Sequence, residues 1–305
     1  MKTRVLIVCG GNGNKIAPFI QLQKENLENL GIEVEYFLIN RSGLFGYLSL
    51  LPKYWKTVRH FNPKVIHAHY GISGFFALMQ LRKQVIISYI GSDILLNGIK
   101  FISYLSMFFS KYSIFISNYL FESVPFKRAN FKTIPYGINL DKFHPVEKVF
   151  ARESLGWDVN KIYCLFPSAK ERPEKNFELA SKAIRKVGKI ELIEIGGTLS
   201  LDELNLIFNA CDFMLLTSFH EGGPQVLFEA LAVNLPVICT DVGAVRQTIE
   251  GVDGCLICSY ELNDVVQKIN IILELSKRTN GRKRIQELQL DSKIQALRLL
   301  DLYSN

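Results

Sequence analysis

The chain has 305 residues, of which 48% are hydrophobic and 21% charged, and its formal net charge is +7. This composition excludes disordered and collagen-like chains, and the length predicts two globular domains of ordinary size. The apolar runs are all shorter than the ~20 residues of a membrane-spanning helix, and the first is too short for a signal peptide. We therefore expect a cytoplasmic protein, and six cysteines spread through apolar segments agree with a reducing compartment.

The positive charge is concentrated in the first half of the sequence. Residues 1–140 contain 16 Lys and Arg against 6 Asp and Glu, whereas residues 141–305 contain 20 against 23. Such asymmetry indicates an anionic partner for the first half: nucleic acid, a membrane surface or a phosphorylated substrate. A solvated basic face without a partner is the alternative. Because no RNA motif or recognition helix is visible, we expect no nucleic-acid partner.

Strand patterns alternate with helix patterns from the first residues onward. Strands are predicted at 4–9, 33–39, 64–69, 85–90 and 114–117, and helices between residue 14 and Leu30, at 52–61, from Ser73, and at 99–110. Parallel strands need crossover connections, so this alternation predicts a parallel sheet with helices on both faces.

The alternation pauses after residues 134–139 in a polar, Pro-containing stretch at 142–146, which we interpret as a domain linker. It then restarts, with strands predicted at 162–167, 190–195, 212–216 and 235–240 and helices at 176–187, 200–210 and 224–233. The sequence thus predicts an α/β protein of two doubly wound, Rossmann-like domains, residues 1–140 and 141–305, facing a cleft. A last amphipathic helix is predicted at about 284–303, and packing back on the N-terminal domain is one interpretation of it.

In doubly wound sheets, ligands bind at the carboxyl ends of the strands, and residues 217–224 form the most promising of these loops. Gly222 and Gly223 allow backbone amides to approach an anion, and Pro224 suits the first position of a helix, whose dipole favours phosphate. Glu221 lies on the loop and Glu229 two turns into the helix. Two carboxylates around an anion suit sugar hydroxyls, so the pattern indicates a nucleotide-sugar.

The two glutamates lie in a longer pattern, Ser-x-x-Glu-Gly-x-Pro-x-x-x-x-Glu-Ala-x-Ala, followed by Pro236-Val237-Ile238 and Val242-Gly243. This pattern resembles the retaining GT-B glycosyltransferases of family 4, also called glycosyl transferases group 1, with their E-x7-E motif. Weaker similarity extends through residues 134–139 and 66–69. The resemblance implies the GT-B architecture, with an N-terminal acceptor-binding domain and a C-terminal nucleotide-sugar donor-binding domain.

The resemblance also implies roles for individual residues. Glu229 would bind the ribose hydroxyls, Glu221 the sugar hydroxyls or the developing positive charge, and Lys175 with Arg172 the diphosphate. The other residues assigned in this way are Gly222, Gly223, Pro224, Lys170, Gly196 and Gly197 on the donor side, and Gly11, Gly13, Ser92 and Asp93 on the acceptor side. His69, at the end of a predicted strand, would help to position donor or acceptor as part of the catalytic group.

Three features depart from common patterns. Many family members have His-Gly-x-Asp where this chain has Ile90-Gly91-Ser92-Asp93, the region after Gly196 is short, and so is the acceptor domain. No metal site is expected, because Cys255-x-x-Cys258 lacks a second ligand pair and His67 with His69 lacks a third ligand. A nicotinamide cofactor is not expected either, since Ile16 replaces the third glycine of a dinucleotide fingerprint.

Two segments of the first half are rich in aromatic and aliphatic residues beside lysines: residues 44–56 and the helix at 99–110. The helix is open to two interpretations, an ordinary core helix or a membrane-facing surface. The second would make the protein peripheral on the inner face of an anionic membrane, with a lipid-linked acceptor.

The resemblance implies a metal-independent hexosyltransferase without a cofactor, which moves a sugar from a UDP- or GDP-linked donor to a hydroxyl of a glycan or lipid-linked acceptor. Retention of configuration by front-face attack, in bacterial-type polysaccharide or glycolipid biosynthesis, is the expected activity. Two alternatives are a nucleotide-sugar epimerase of the same fold and an inactive nucleotide-sugar-binding partner subunit.

Overall fold

A computed structural model describes residues 3–11, 15–195 and 199–304. The chain forms two compact units, Met1–Gly137 with Ser292–Asn305, and Ile138–Asp291. Each unit contains one parallel sheet covered by helices, as the alternation of elements predicts.

The sheet of the first unit has six strands: β1 (Arg4–Gly10), β2 (Glu33–Ile39), β3 (Val65–His69), β4 (Gln84–Tyr89), β5 (Tyr112–Phe115) and β6 (Phe131–Thr133). Its helices are α1 (Pro18–Asn29), α2 (Gly43–Phe61), α3 (Gly71–Leu78), α4 (Ser92–Leu95), α5 (Asn97–Phe109) and α6 (Asn118–Glu122). The strand order is β2-β1-β3-β4-β5-β6, with every pair parallel. The order reverses direction beside β1, which is where ligands bind in sheets of this type.

The sheet of the second unit has five parallel strands in the order β11-β10-β9-β7-β8. The elements are α7 (Lys148–Leu155), β7 (Ile162–Phe166), α8 (Phe177–Val187), β8 (Ile190–Glu194), α9 (Leu201–Ala210), β9 (Phe213–Leu216), α10 (Gln225–Ala232), β10 (Val237–Thr240), α11 (Val245–Ile249), β11 (Cys255–Cys258), α12 (Leu262–Leu275) and α13 (Gly281–Glu287). The last helix, α14 (Ser292–Ser304), belongs to the first unit.

The central strands are apolar on both faces because helices cover both. In β1, Leu6 and Val8 face a core built with α2, α3 and α5, whereas Val5, Ile7 and Cys9 face a core built with α1 and α14. Helices α2, α3 and α5 therefore form one layer over the first sheet, and α1 and α14 form the other.

The segment predicted as one helix at 284–303 is two helices, and this expectation was wrong. Between α13 and α14, Gln289 adopts a positive φ of 53° and interrupts the helical ladder. The interruption allows Ile138 to donate its amide to Leu290 O at 2.8 Å. As a result, α13 stays in the second unit while α14 packs on the first, where Tyr303 Oη lies 2.6 Å from His67 Nδ1.

No helix among the described residues combines the length and apolar character needed to cross a bilayer.

A buried arginine ties together the start of the second unit. Arg152 donates to Ala210 O at 2.9 Å, to Val159 O at 2.7 Å and to Asp212 Oδ2 at 2.7 Å. Asp212 also accepts the Tyr163 amide and the ammonium of Lys148. Arg152 is 3% exposed in this cluster, so its removal leaves the buried carboxylate–carbonyl network, including the carbonyl of the buried Ala210, without this donor.

We expect Arg152→Ala to lower the free energy of unfolding by about 3 kcal/mol, because a buried charged network loses one partner. Lys148→Ala is the matched control: its side chain is 41% exposed, so the loss should stay below about 1 kcal/mol. Urea unfolding of both variants measures the difference. Equal losses for the two variants would contradict this account of the cluster.

Candidate active site

The loop between β9 and α10, residues 217–224, is fixed to its neighbours by hydrogen bonds. Ser218 O accepts from Thr240 Oγ1 at 2.6 Å and from Tyr260 Oη at 3.1 Å. Thr217 Oγ1 donates to the carbonyls of Lys175 and Asn176, both at 3.0 Å. Three loops at the carboxyl ends of β7, β9 and β10 are thereby joined into one structure, which orients the side chains they carry.

An ion pair lies at the centre of this structure. Lys175 Nζ lies 2.5 Å from Glu221 Oε1, with the two side chains 13% and 10% exposed. Ser218 Oγ donates to the same oxygen at 2.7 Å. Both partners therefore use Oε1, and within the described part of the chain Oε2 of Glu221 accepts no hydrogen bond. This second oxygen is oriented by the pair and available to a ligand.

A glycine explains how two loops approach each other here. Gly243 has a positive φ of 57°, and a Cβ at this position would lie 2.0 Å from Glu221 O. Only glycine has both the backbone freedom and the missing side chain that this contact requires. The sequence pattern includes Gly243, and the structure gives its physical reason: it lets the loop after β10 support the backbone of Glu221.

Glu229, on α10, is a carboxylate without a compensating partner. Its side chain is partly buried, and burial raises the pKa of Glu229 from 4.5 to about 7. Among residues 3–11, 15–195 and 199–304, no cation or hydrogen-bond donor contacts this carboxylate. A desolvated carboxylate of this kind is stabilised when hydroxyl groups of a ligand donate hydrogen bonds to it.

The two other predicted cations differ from Lys175. The guanidinium of Arg172 pairs with Glu174 on the exposed surface, whereas Lys170 is exposed and forms no ion pair with any described residue. Lys175 ends a short 3₁₀ turn, Pro173–Lys175, and Asn176 follows with a positive φ of 53°. This turn directs the lysine to Glu221 and the arginine away from it.

The glycine pair and the proline lie at the start of α10. Gly222 and Gly223 are half-buried, and Pro224 is buried. The sequence predicts that Pro224 is the first residue of a helix. In the structure α10 begins at Gln225, so Pro224 is the N-cap residue instead. The difference is one position, and Pro224 still contributes a carbonyl to the first turn, accepting the Leu227 amide at 3.0 Å.

His69 does not project into solvent. It is fully buried at the end of β3, Nδ1 lies 2.8 Å from Tyr136 Oη, and Nε2 lies 3.4 Å from the side-chain amide of Gln23. Burial lowers the pKa of His69 to about 3, which keeps the ring neutral at physiological pH. In this structure His69 packs inside the first unit, and its role beside the donor or acceptor stays a prediction.

Asp93, which the resemblance assigns to the acceptor side, is buried between two loops of the first unit. Its carboxylate accepts the backbone amides of Gly71, Ile90 and Gly91 at 2.9–3.0 Å and is fully buried. Burial raises the pKa of Asp93, and these amides oppose the rise. The carboxylate thus holds together the loops after β3 and β4.

Of the other predicted acceptor-side residues, the structure describes Ser92 and Gly11. Ser92 is exposed, with its hydroxyl 3.1 Å from Tyr70 Oη, and the Gly11 amide donates to Ile39 O at 3.3 Å. The predicted residues Gly13, Gly196 and Gly197 lie outside the described residues.

Sequence reasoning missed Tyr70 and the pair Phe219 and Tyr260. Tyr70 has a positive φ of 84°, an unfavourable conformation for a residue with a large side chain, directly after β3. Phe219 and Tyr260 are exposed and lie with their ring centroids 5.2 Å apart beside the Glu221 loop. No sequence signal marks backbone strain, but aromatics flanking a motif could have been noted.

Cys255 and Cys258 both lie in β11. Burial raises the pKa of both thiols to about 12, so they are protonated at physiological pH. No cluster of three or more potential ligands is placed to hold a metal ion within the described ranges.

Two family models match different parts of the chain. The model described as "Glycosyl transferases group 1" matches residues 173–287, which include the ion pair and Glu229, and the model described as "Glycosyl transferase 4-like" matches residues 16–119. The group 1 match therefore lies in the second unit, and the 4-like match lies in the first unit.

Among curated proteins, the chain is 32% identical over 131 residues to the putative teichuronic acid biosynthesis glycosyltransferase TuaC of Bacillus subtilis. It is 24% identical over 184 residues to the D-inositol 3-phosphate glycosyltransferase of Mycobacterium tuberculosis. The matches cover 37% and 50% of this chain, and 33% and 38% of these relatives. The chain thus spans little more than a third of the length of the curated relatives it matches.

Solved structures with the same fold cover the whole chain. Sucrose-phosphate synthase from Thermosynechococcus elongatus has a TM-score of 0.82 at 18% identity, covering 99% of this chain and 98% of that one. HepE from Anabaena, in complex with UDP, has a TM-score of 0.76 at 16% identity with 100% of both chains covered. UDP-GlcNAc 2-epimerase from Methanocaldococcus jannaschii scores 0.64 at 12% identity with 99% of both covered. The architecture is GT-B, and the family matches support a GT-B glycosyltransferase.

The raised pKa of Glu229 predicts how stability depends on pH. Between pH 4.5 and about 7 the folded chain holds a proton that the unfolded chain releases, so the free energy of unfolding falls as pH rises. Glu229→Gln removes this dependence and should stabilise the ligand-free protein by about 3 kcal/mol at pH 8. Urea unfolding at a series of pH values measures both effects.

Glu250→Gln, at an exposed position that ends α11, is the matched control and should keep the wild-type pH profile. If Glu229→Gln unfolds with the same pH profile as the wild-type protein, Glu229 is not a desolvated carboxylate.

Proposed function

We propose that the protein is a retaining glycosyltransferase that moves a sugar from a nucleoside-diphosphate sugar to a hydroxyl acceptor. The observation that carries this proposal is the cluster of Lys175, Glu221 and Ser218 at the start of α10, with Glu229 unpaired in the same helix. A fixed cation, an oriented carboxylate and a second, unsatisfied carboxylate suit a ligand that has a diphosphate between two hydroxyl-bearing groups.

The nucleotide half of the donor is assigned to Glu229. Its desolvated carboxylate would accept hydrogen bonds from the ribose hydroxyls, which satisfy it without introducing charge. HepE, whose fold this chain shares, has been solved with UDP and with UDP-glucose, which supports a UDP-linked donor. A GDP-linked donor is the other candidate.

The sugar and the diphosphate are assigned to the Glu221 loop. Oε2 of Glu221 would accept from sugar hydroxyls or stabilise positive charge at the anomeric carbon. Lys175, together with the exposed Lys170 and Arg172, would stabilise the departing diphosphate, aided by the Gly222 and Gly223 amides at the start of α10. With these cations we propose that transfer needs neither a metal nor a cofactor.

The acceptor is assigned to the first unit, where Ser92 and Gly11 follow β4 and β1. Glycan and lipid-linked acceptors both carry the required hydroxyl. The relative TuaC is named for teichuronic acid biosynthesis, which supports a role in polysaccharide or glycolipid assembly.

Retention is proposed to proceed by front-face attack. The acceptor oxygen forms the new bond to the anomeric carbon as the bond to the diphosphate breaks, and the leaving phosphate oxygen takes the acceptor proton. Glu221 is held by Lys175 and Ser218 and serves here to stabilise charge, so it is not assigned as a nucleophile.

Epimerisation without an external acceptor has less support. It needs acid and base groups at the sugar carbon, for which His69, Asp93 and Glu221 are the candidates. Of these, His69 and Asp93 are buried with hydrogen-bond partners. The structure of the epimerase is also less similar to this chain than the structure of sucrose-phosphate synthase is, with a TM-score of 0.64 against 0.82.

The donor is testable by thermal shift with UDP, GDP, ADP, CMP and dTDP at one concentration. One nucleotide should stabilise the protein, by ~2.7 kcal/mol at 100 times its dissociation constant. Glu229→Ala should abolish the shift because the ribose loses its acceptor. If no nucleotide shifts the wild-type protein, the donor-site assignment is wrong.

Turnover with the selected donor tests the ion pair. Glu221→Gln and Lys175→Ala should each lower kcat by about 100-fold or more, because charge stabilisation in the transition state is lost. Arg246→Ala breaks an exposed ion pair with Asp241 and is the control expected to keep wild-type kcat. NMR of the product distinguishes retention from inversion, and an inverted anomer contradicts the proposed stereochemistry.

A further inference from the structure

The first unit has one surface on which exposed apolar side chains form continuous stripes. On α5, Phe101, Leu105, Phe108 and Phe109 occupy one helical face, and all are exposed. Phe101 is 74% exposed. The opposite face of α5, with Ser103, Ser106 and Met107, is buried against the unit. The solvent-facing side of α5 is thus apolar, whereas this side of a surface helix in a globular protein is normally polar.

Helix α2 has a second stripe of the same kind. Leu44, Phe45, Leu48 and Trp55 are exposed, and Phe45 is 86% exposed. The other face of α2 packs into the core through Leu50, Tyr54, Val58 and Phe61. Because α2, α3 and α5 cover the same face of the sheet, both stripes lie on the outer surface of one helical layer. We call this surface the α2–α5 face.

The charged residues within α2, α3 and α5 are all basic, namely Lys53, Lys56, Arg59 and Lys100. Between Glu35 and Glu122 the sequence contains a single acidic residue, Asp93, which is fully buried. The same stretch contains nine basic residues: Arg41, Lys53, Lys56, Arg59, Lys64, Arg82, Lys83, Lys100 and Lys111. No carboxylate forms an ion pair with any of the nine in the part of the chain that the structure describes. The helices on the opposite face of the sheet include acids, among them Glu25 and Glu28.

We propose that the α2–α5 face docks on the surface of an anionic phospholipid leaflet. Aromatic and aliphatic side chains beside unpaired lysines and arginines match the two parts of such a surface, acyl chains and phosphate-bearing headgroups. A second copy of this chain is a poorer match, because a symmetric pairing would bring basic residues together. Docking does not depend on the donor chemistry, so it can be tested without any nucleotide.

Trp55 provides a local probe, because the chain has only two tryptophans. Trp157 lies in the second unit against Tyr163, with the ring centroids 4.6 Å apart. In Trp157→Phe, the emission of Trp55 should shift to the blue when vesicles with about 30% phosphatidylglycerol are added. In Trp55→Phe the emission of Trp157 should not change. If the emission wavelength of Trp55 does not change when these vesicles are added, the proposal is overturned.

Vesicle co-sedimentation measures the affinity. Wild-type protein should bind phosphatidylglycerol-containing vesicles at least about ten-fold more tightly than pure phosphatidylcholine, and salt should weaken this binding. Combined substitution of Leu44, Phe45, Phe101 and Phe109 by Ser should lower binding by about ten-fold or more. Replacing Lys53, Lys56 and Lys100 by Gln should reduce the dependence on salt.

Phe150→Ser is the matched apolar control, since Phe150 is 58% exposed on α7 of the second unit, and it should bind as wild type does. Circular dichroism and urea unfolding without nucleotide show whether the four-residue variant is folded; if it is not, the Trp55 emission of Trp157→Phe decides. Equal binding by this variant and wild type, or a wild-type dimer that the same four substitutions dissociate, overturns lipid docking.

Discussion

Parallel strand pairing is the constraint from which the rest of this structure follows. Parallel neighbours cannot be joined by tight turns, so each strand is followed by a crossover helix and every strand ends at the same edge of its sheet. In the second unit this places the loops after β7, β9 and β10 side by side. Residues far apart in sequence, such as Lys175 and Glu221, thereby meet within hydrogen-bond distance.

Three acidic residues differ in their hydrogen bonds and burial, and these differences give them different roles. Asp93 accepts three backbone amides and serves the structure of two loops. Glu221 is bonded through one oxygen and leaves the other for a ligand. Glu229 is desolvated without a partner, so a hydroxyl-bearing ligand would relieve its unfavourable state. Residue type alone does not distinguish the three cases.

Much of the fold could be predicted because buried parallel strands are continuous apolar runs. Strand β2 was predicted with the correct limits, and the strands and helices around the site within a few residues. Helix α12 was not predicted, although Val265, Ile269 and Ile272 are buried along one face. The break at Gln289 was missed because it depends on a positive φ and a long-range bond to Ile138, neither of which has a local signal.

The site was predicted less completely than the fold. The pattern around Glu221 and Glu229 located the loop, and the structure brings Lys175 to it. Sequence could not show that Arg172 turns to Glu174, because that depends on the 3₁₀ turn at Pro173. Nor could it show that His69 is buried, since a histidine that ends a strand can face either solvent or core.

The distribution of charge separates two anionic partners. In the proposed function, the second unit binds a diphosphate although its residues 138–291 include fewer basic than acidic residues, 18 against 22. A few well-placed cations are therefore sufficient for a small anion. The nine basic residues between Glu35 and Glu122 are not needed for that task, and they accompany apolar stripes that no small anion would cover. An extended anionic surface accounts for both features, and it would bring the first unit to the place where a lipid-linked acceptor resides.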